Sequence, residues 1–379
     1  MLRNGRRRPN ASGFRLRLAA LVWCIAFLGL GVLEARDGQD ELGEIVDVTE
    51  VLVDVVVTDR KGQVVLGLDS DDFVIRENGD PVEVVDVTFY SNRRFLGSSA
   101  LAEDLQIDTV PENRYFSLCC HHQRNLLPRL AANLLDAGRR AKQWVMSSLL
   151  PNDYVAVASY FPKLNVLDFT NDPDLLAATI DLAVQGKDFR SATVTASSGI
   201  PSLTGAMPSG DVDRIHEALA MVAEGAGAVR GRKNLVLYSI GFGQLSSFGF
   251  FLPDQRYYPP TVETLNDNHV SVYPVDLLAI DLSPSLVINR ASEVLSALAH
   301  DTAGQFFFNF NNYMTPLERI ASDNNGYYLL SYRSPQPEAE TDYRRVEVET
   351  LDTSFDVRHR EGYVPGSGYP YGDRVASGR

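Results

Sequence analysis

Cysteine is nearly absent. Three occur in 379 residues, and Cys24 lies in an apolar stretch near the N-terminus. The other two, Cys119 and Cys120, are neighbours. Adjacent side chains on an extended strand point to opposite faces, so a bridge between them would be strained. A disulfide framework is therefore excluded. Histidine is scarce too. His216, His269, His300 and His359 stand singly, without the spacing of a zinc site. Basic residues are outnumbered, 35 against 49 acidic, for a net charge of -14. That balance disfavours nucleic acid and anionic membrane as partners. Long hydrophobic runs are limited to Leu18–Val32. At about 15 residues this run is short of the roughly 20 that a spanning helix needs. There are no internal repeats. Gly241-Phe-Gly243 lacks the rest of any dinucleotide or Walker pattern and reads as a tight turn.

What is present is ordinary globular composition, 45% hydrophobic and 22% charged, over a length that suggests two or three domains. The N-terminus stands apart. Arg3, Arg6, Arg7, Arg8, Arg15 and Arg17 precede the apolar run, and Leu33-Glu-Ala35 offers a cleavage point. Basic start, short apolar stretch and small residue mark a secretory signal over residues 1–35. Losing its six arginines and Glu34 would take the net charge from -14 to -19. The mature protein is expected to be exported, periplasmic or secreted. The one expected membrane contact is an uncleaved signal segment.

Residues 44–90 read as a small β module. Val51, Val53, Val55 and Val57 recur at every second position. Asp59-Arg-Lys-Gly62 is a hairpin turn, and Glu77-Asn-Gly-Asp-Pro81 carries an Asn-Gly turn signal. Residues 91–113 read as a linker. Residues 114–333 alternate strand and helix. The expected strands are 115–120, 154–159, 234–239, 271–275, 305–310 and 327–332. The expected helices are 126–149, 173–184, 211–223, 262–267, 291–302 and 316–323, the last capped by Thr315 with Pro316 in its first turn. Such alternation implies a mainly parallel sheet with helices on both faces. Residues 185–210 and 241–260 are long loops, the second rich in aromatics from Phe242 to Tyr258. Residues 342–364 read as strands that complete the β module, and residues 365–379 as a disordered tail.

The α/β segment opens on Arg114-Tyr-Phe-Ser-Leu-Cys-Cys-His-His-Gln-Arg-Asn125. An uncharged strand ends there in a polar loop, before a helix. Ligands of open α/β sheets bind outside the carboxyl ends of such strands.

Five stretches carry a family resemblance. They are Leu52-Val-Asp-Val-Val-Val57 with Asp59-Arg-Lys-Gly62, Asp72-Phe-Val-Ile-Arg-Glu-Asn-Gly79, Arg232-Lys-Asn-Leu-Val-Leu-Tyr-Ser239, Val272-Tyr-Pro-Val-Asp276, and Tyr327-Tyr-Leu-Leu-Ser-Tyr332 followed by Phe355 through Tyr363. In this order the chain resembles von Willebrand factor A-related proteins of soil bacteria such as the acidobacteria. The resemblance implies a Rossmann-like A domain, which the pairing expected of the N- and C-terminal strands would insert into one β-sandwich. It also implies a metal-ion-dependent adhesion site, with an Asp-x-Ser-x-Ser loop, a Thr from a second loop and an Asp from a third. Mg²⁺ suits such a site, because a hard cation takes oxygen ligands. This chain departs from the pattern. With His121 in the first Asp position, Gln123 and Asn125 take the two Ser positions. With His122 there, Arg124 and Leu126 follow. Ser239-Ile-Gly241 stands where Ser-Asp-Gly is expected, so Ile240 replaces the acid. Thr204 is the candidate for the second loop. Neither register supplies a carboxylate, and no cofactor is expected.

Two other chemistries use the same stretch. Cys119, His121 and His122 could hold a softer metal such as zinc or copper, but Cys119 and His121 share one strand face while Cys120 and His122 share the other. A Cys–His hydrolase would need an exposed thiol, a base and an oxyanion hole. The expected function is a non-enzymatic protein-interaction role of adhesion type, through His121, His122, Gln123, Asn125, Thr204, Ser239 and Ile240. The remaining alternative is a structural envelope protein without a specific ligand.

Overall fold

The computed structural model describes residues 50–91, 109–111, 113–123, 128–160, 163–189, 212–229, 231–245, 247, 251–278, 293–308, 312–335 and 343–365. The signal segment, Asn125, Thr204 and the C-terminal tail lie outside them.

The chain enters on β1 (Glu50–Thr58), whose valines are buried on both faces at its centre. Asp59 shapes the turn that follows, its carboxylate accepting from the backbone N–H of Lys61 and Gln63. A 3-10 turn at Ser70–Asp72, capped by Asp69, leads into β2 (Phe73–Glu77). Asn78 and Gly79 both take positive φ, 51° and 91°. That pair is what a two-residue hairpin demands, and β3 (Asp80–Val82) returns against β2. β4 (Val84–Ser91) follows. The stretch read as linker contains one more strand, β5 (Thr109–Pro111), parallel to β4.

The α/β part begins with β6 (Arg114–His121), then α1 (Pro128–Ser147). β7 (Asp153–Tyr160) pairs with β8 (Leu164–Thr170), an antiparallel edge strand missing from the sequence reading. α2 (Pro173–Ala183) is capped by Asp172 and carries Pro173 in its first turn. α3 (Ile215–Ala226), β9 (Lys233–Ser239) and a two-stranded hairpin of β10 (Gln244–Leu245) and β11 (Phe251–Leu252) come next. They are followed by α4 (Tyr258–Asp267), β12 (Val270–Asp276), α5 (Glu293–Asp301) and α6 (Met314–Asp323). The five strands lie in the order β12-β9-β6-β7-β8. All pair in parallel except β8. The direction of winding reverses between β6 and β9.

Helices cover both faces, as the alternation implies. On one face Leu134 and Trp144 of α1, Ile180 of α2 and Leu317 of α6 pack on Phe116, Leu118 and Cys120. On the other, Leu219 of α3, Leu265 of α4 and Leu295 of α5 pack on Cys119, Leu235 and Leu237. The adjacent cysteines thus serve opposite cores, free and buried.

The last strands return to the start of the chain. β13 (Gly326–Arg333) pairs with β1 and β4, not with the parallel sheet. This corrects the assignment of 327–332 to the α/β alternation. The reason lies in its tyrosines. Tyr328 and Tyr332 are buried, and their hydroxyls donate to the Val65 carbonyl and the Glu77 carboxylate. Those acceptors exist only in the N-terminal part. β14 (Arg344–Thr350) pairs with β2, β15 (Asp356–His359) with β1, and β16 (Gly362–Tyr363) with β14. The resulting sheets, β15-β1-β13-β4-β5 and β16-β14-β2-β3, share one apolar core of Val53, Val55, Ile75, Leu330 and Val348 among others.

Two further expectations are corrected. The strand expected at 305–310 is reduced, in its described part, to one bridge from Phe307 to Val275. α6 starts at Met314, and Asn312 accepts from the Met314 N–H, so Thr315 is not the cap. An Asx side chain two residues upstream offered the first free donor an acceptor earlier than Thr315 could.

Candidate functional site

The reversal of strand order places β6 beside β9, with their carboxyl ends together. Ligands of doubly wound sheets bind at this point. His121 and Ser239, the last residues of those strands, meet there.

His121 is a strand residue, not part of the loop expected after Cys120. It is buried, and its Nδ1 lies 2.8 Å from the Ser239 hydroxyl. That hydroxyl also accepts from the Gly241 N–H at 3.1 Å. The Tyr160 ring lies 6.0 Å from the His121 ring, and Phe242 meets it edge-on at the same distance. His216 of α3 packs edge-on against Phe242 at 5.2 Å. Burial pushes the His121 imidazole down to about 3, with the neighbouring His122 and His216 adding to it. It stays neutral at any ordinary pH.

His122 leaves the strand on the opposite face. Its Nε2 donates to the Ala183 carbonyl at the end of α2, 2.7 Å away. Burial lowers its basicity, against that carbonyl's pull. The two imidazoles therefore diverge across the sheet and do not share a ligand. The Gln123 amide donates to the Gly241 carbonyl. Ile240 is half-buried against the core that holds Cys120. Asn125 and Thr204 are outside the described residues.

The two loops are thus joined by protein groups, His121 to Ser239 and Gln123 to Gly241. The adhesion-site pattern would hold a cation between such loops. Among the described residues of both loops there is no carboxylate. Imidazole nitrogen, an amide already bonded and an apolar Ile240 are not the donor set of Mg²⁺. The residues present do not fit that ion. Asp276 ends β12 beside Ser239 in register. Burial raises its carboxyl to about 6, against the Leu278 N–H that donates to it at 2.8 Å. Burial, and after it the Asp276 carboxyl, push the Tyr313 phenol up to about 12.

The arrangement is also poor for nucleophilic chemistry. Ser239 is fully buried, and an imidazole near 3 is a weak base. Burial pushes the Cys119 thiol up to about 12 and Cys120 further in the same direction. Reactive cysteines have the reverse shift.

The aromatic loop does not form an exposed aromatic surface in its described part. Phe242 and Tyr258 are buried, and Phe251 is half-buried against the core. Exposure falls instead on Leu245, at 61% the most exposed large apolar side chain of this region. Nearby, two guanidinium groups lie over the Tyr257 ring, Arg214 at 4.4 Å and Arg256 at 5.1 Å.

Tyr160, His216 and Asp276 were not singled out by sequence. Two of them, Tyr160 and Asp276, are final strand residues, so their position at a carboxyl end was the available signal.

No family model and no curated protein matches the chain. Solved structures similar to it include the human COPII-coat protein Sec24c, at 8% identity and a TM-score of 0.39, over 67% of this chain and 44% of that one. An aerotolerance-related membrane protein from Bacteroides fragilis matches at 12% identity and a TM-score of 0.35, over 56% of this chain and 99% of its own. The ArnB paralog VWA2 from Sulfolobus acidocaldarius matches at 12% identity and a TM-score of 0.34, over 84% of this chain and 75% of its own. The chain thus spans less than half of the Sec24c structure.

Proposed function

We propose that this is an exported, non-enzymatic interaction protein. It binds a protein partner through the surface at the carboxyl ends of its parallel sheet, without Mg²⁺. The observation that carries this reading is the direct hydrogen bonding between the 121–123 and 239–241 loops, where the resemblance implies a cation. A surface closed in this way needs no ion to be ordered. Export rests on the basic and apolar pattern of residues 1–35. Among the described residues no helix is long and apolar enough to cross a membrane.

The partner meets the β10–β11 hairpin. Exposed Leu245 supplies an apolar anchor, and Arg214, Arg256 and Tyr257 supply a rim of the residue types enriched at interfaces. The absence of an enzyme activity in this reading is supported by the raised thiols and the buried Ser239.

A photo-crosslinking residue at position 245, with a second at Leu351 as control, tests it. Leu351 is equally exposed but follows β14 in the other part of the protein. Expressed in the source cells, the protein labelled at 245 is expected to give a discrete crosslinked band that 351 does not, unchanged by EDTA. Loss of the band with EDTA would overturn the metal-independent reading, and identical patterns at both positions would overturn the choice of surface.

A further inference from the structure

At the opposite end of the sheet a histidine faces two carboxylates. His300 and Asp301 close α5. Glu361 lies between β15 and β16. His300 Nδ1 is 3.2 Å from Asp301 Oδ1 and 3.3 Å from Glu361 Oε1. One ligand atom from each residue lies within 4.8 Å of the other two. The backbone fixes this meeting, because Thr302 and Arg360, the next residues along, form an antiparallel bridge. Thr302 also accepts from the Val272 N–H at the start of β12, so this place is remote from the carboxyl ends of the strands.

We propose that His300, Asp301 and Glu361 bind a divalent ion of the zinc type, with water completing its coordination. Three observations combine. The two separations from His300, 3.2 and 3.3 Å, match the spacing of ligand atoms around a tetrahedral ion, about 3.3–3.4 Å for bonds of about 2.0–2.1 Å, and the third pair lies within 4.8 Å. One imidazole with two carboxylates is a borderline donor set, which suits Zn²⁺ better than Mg²⁺ or Cu⁺. The remaining oxygen of Asp301 is held by the Tyr258 hydroxyl at 2.7 Å, the outer-shell hydrogen bond that orients a metal-binding carboxylate. The His300 side chain is 76% exposed, so an ion reaches it without unfolding. Bound there, the ion joins α5 of the α/β part to the C-terminal strands of the β part.

The test uses the full chain, stripped with EDTA and titrated with Zn²⁺ by calorimetry, with the melting midpoint followed in parallel. The wild type is expected to take up one equivalent saturably and to melt higher when loaded, since a ligand of the folded state raises its midpoint. His300 is 76% and Glu361 28% exposed, so Glu361→Gln and His300→Ala are expected to leave the apo melting curve in place. Each is expected to weaken that binding at least tenfold, while His122→Ala leaves it unchanged. Co²⁺ in place of Zn²⁺ should give visible absorption in the wild type that both variants lose. No saturable uptake, or uptake unaltered in His300→Ala and Glu361→Gln, would overturn the site.

Discussion

His121 carries a buried imidazole that is neutral because the sheet end excludes water from it. Its folded value, about 3, lies below the ordinary 6.5. Above pH 6.5 neither the folded nor the unfolded chain protonates this group. Between 6.5 and about 3 the unfolded chain takes up a proton that the folded chain refuses. Stability therefore falls as pH drops through that window, by about 1.4 kcal/mol per pH unit from this group. His121→Asn removes that contribution. Urea unfolding between pH 6 and 4 should show a shallower loss in the variant, by close to one proton. Equal slopes would show that His121 titrates normally. The same burial explains why the sequence misled at this residue. Two adjacent histidines before Gln and Arg look like a loop, and only the Ser239 hydroxyl made the first of them affordable inside a strand.

At the scale of elements, local chemistry was readable where it was self-contained. α2 starts where an Asp precedes a Pro. Asp172 accepts from the N–H groups of Asp174 and Leu175 at 3.0 and 3.1 Å. Asp172→Ala is expected to cost about 1 kcal/mol of stability, and Asp172→Asn much less, both measured by chemical denaturation. A negligible cost for the Ala variant would mean that packing of Leu176 and Ile180 alone sets the helix start. The Asn78-Gly79 hairpin was legible for the same reason: two residues fix it. β8 was not legible, because an edge strand needs only one neighbour and its pattern, Leu-Asn-Val-Leu-Asp-Phe-Thr, is buried at most positions without a clean alternation. The 305–310 stretch erred the other way. Its apolar residues suggested a strand, but in its described part it shares with β12 only the bridge from Phe307 to Val275.

Across the whole molecule, the two ends of the chain are tied by one buried carboxylate. Glu77 of β2 accepts from Tyr332 at 2.6 Å, Ser334 at 2.6 Å and Tyr363 at 2.9 Å. Arg344 lies 3.8 Å from it, and both side chains are buried. Glu77→Ala would leave that guanidinium and three hydroxyls without their shared acceptor. Breaking a buried pair from one side costs about 3–5 kcal/mol, so the variant should unfold at markedly lower urea than wild type. A change below about 1 kcal/mol, within the range of exposed ion pairs, would show that water replaces the carboxylate. A second pair links the two parts. His269, just before β12, lies 2.7 Å from Asp54 of β1. Against a burial that would raise it, His269, Arg360 and Arg232 hold the Asp54 carboxyl down to about 2.

The sequence by itself determined the class of fold, the helix and strand types of most of the α/β part, and the absence of acidic side chains from 121–126 and 239–241. These follow from periodicity, turn residues and side-chain chemistry, which are local. The tertiary structure alone decided that β13 leaves the parallel sheet, that His121 meets Ser239 while His122 meets the Ala183 carbonyl, and that His300 and Asp301 meet Glu361. Each of those depends on groups distant in the chain coming within hydrogen-bond reach. Sequence spacing carries no measure of that distance until the strands have paired.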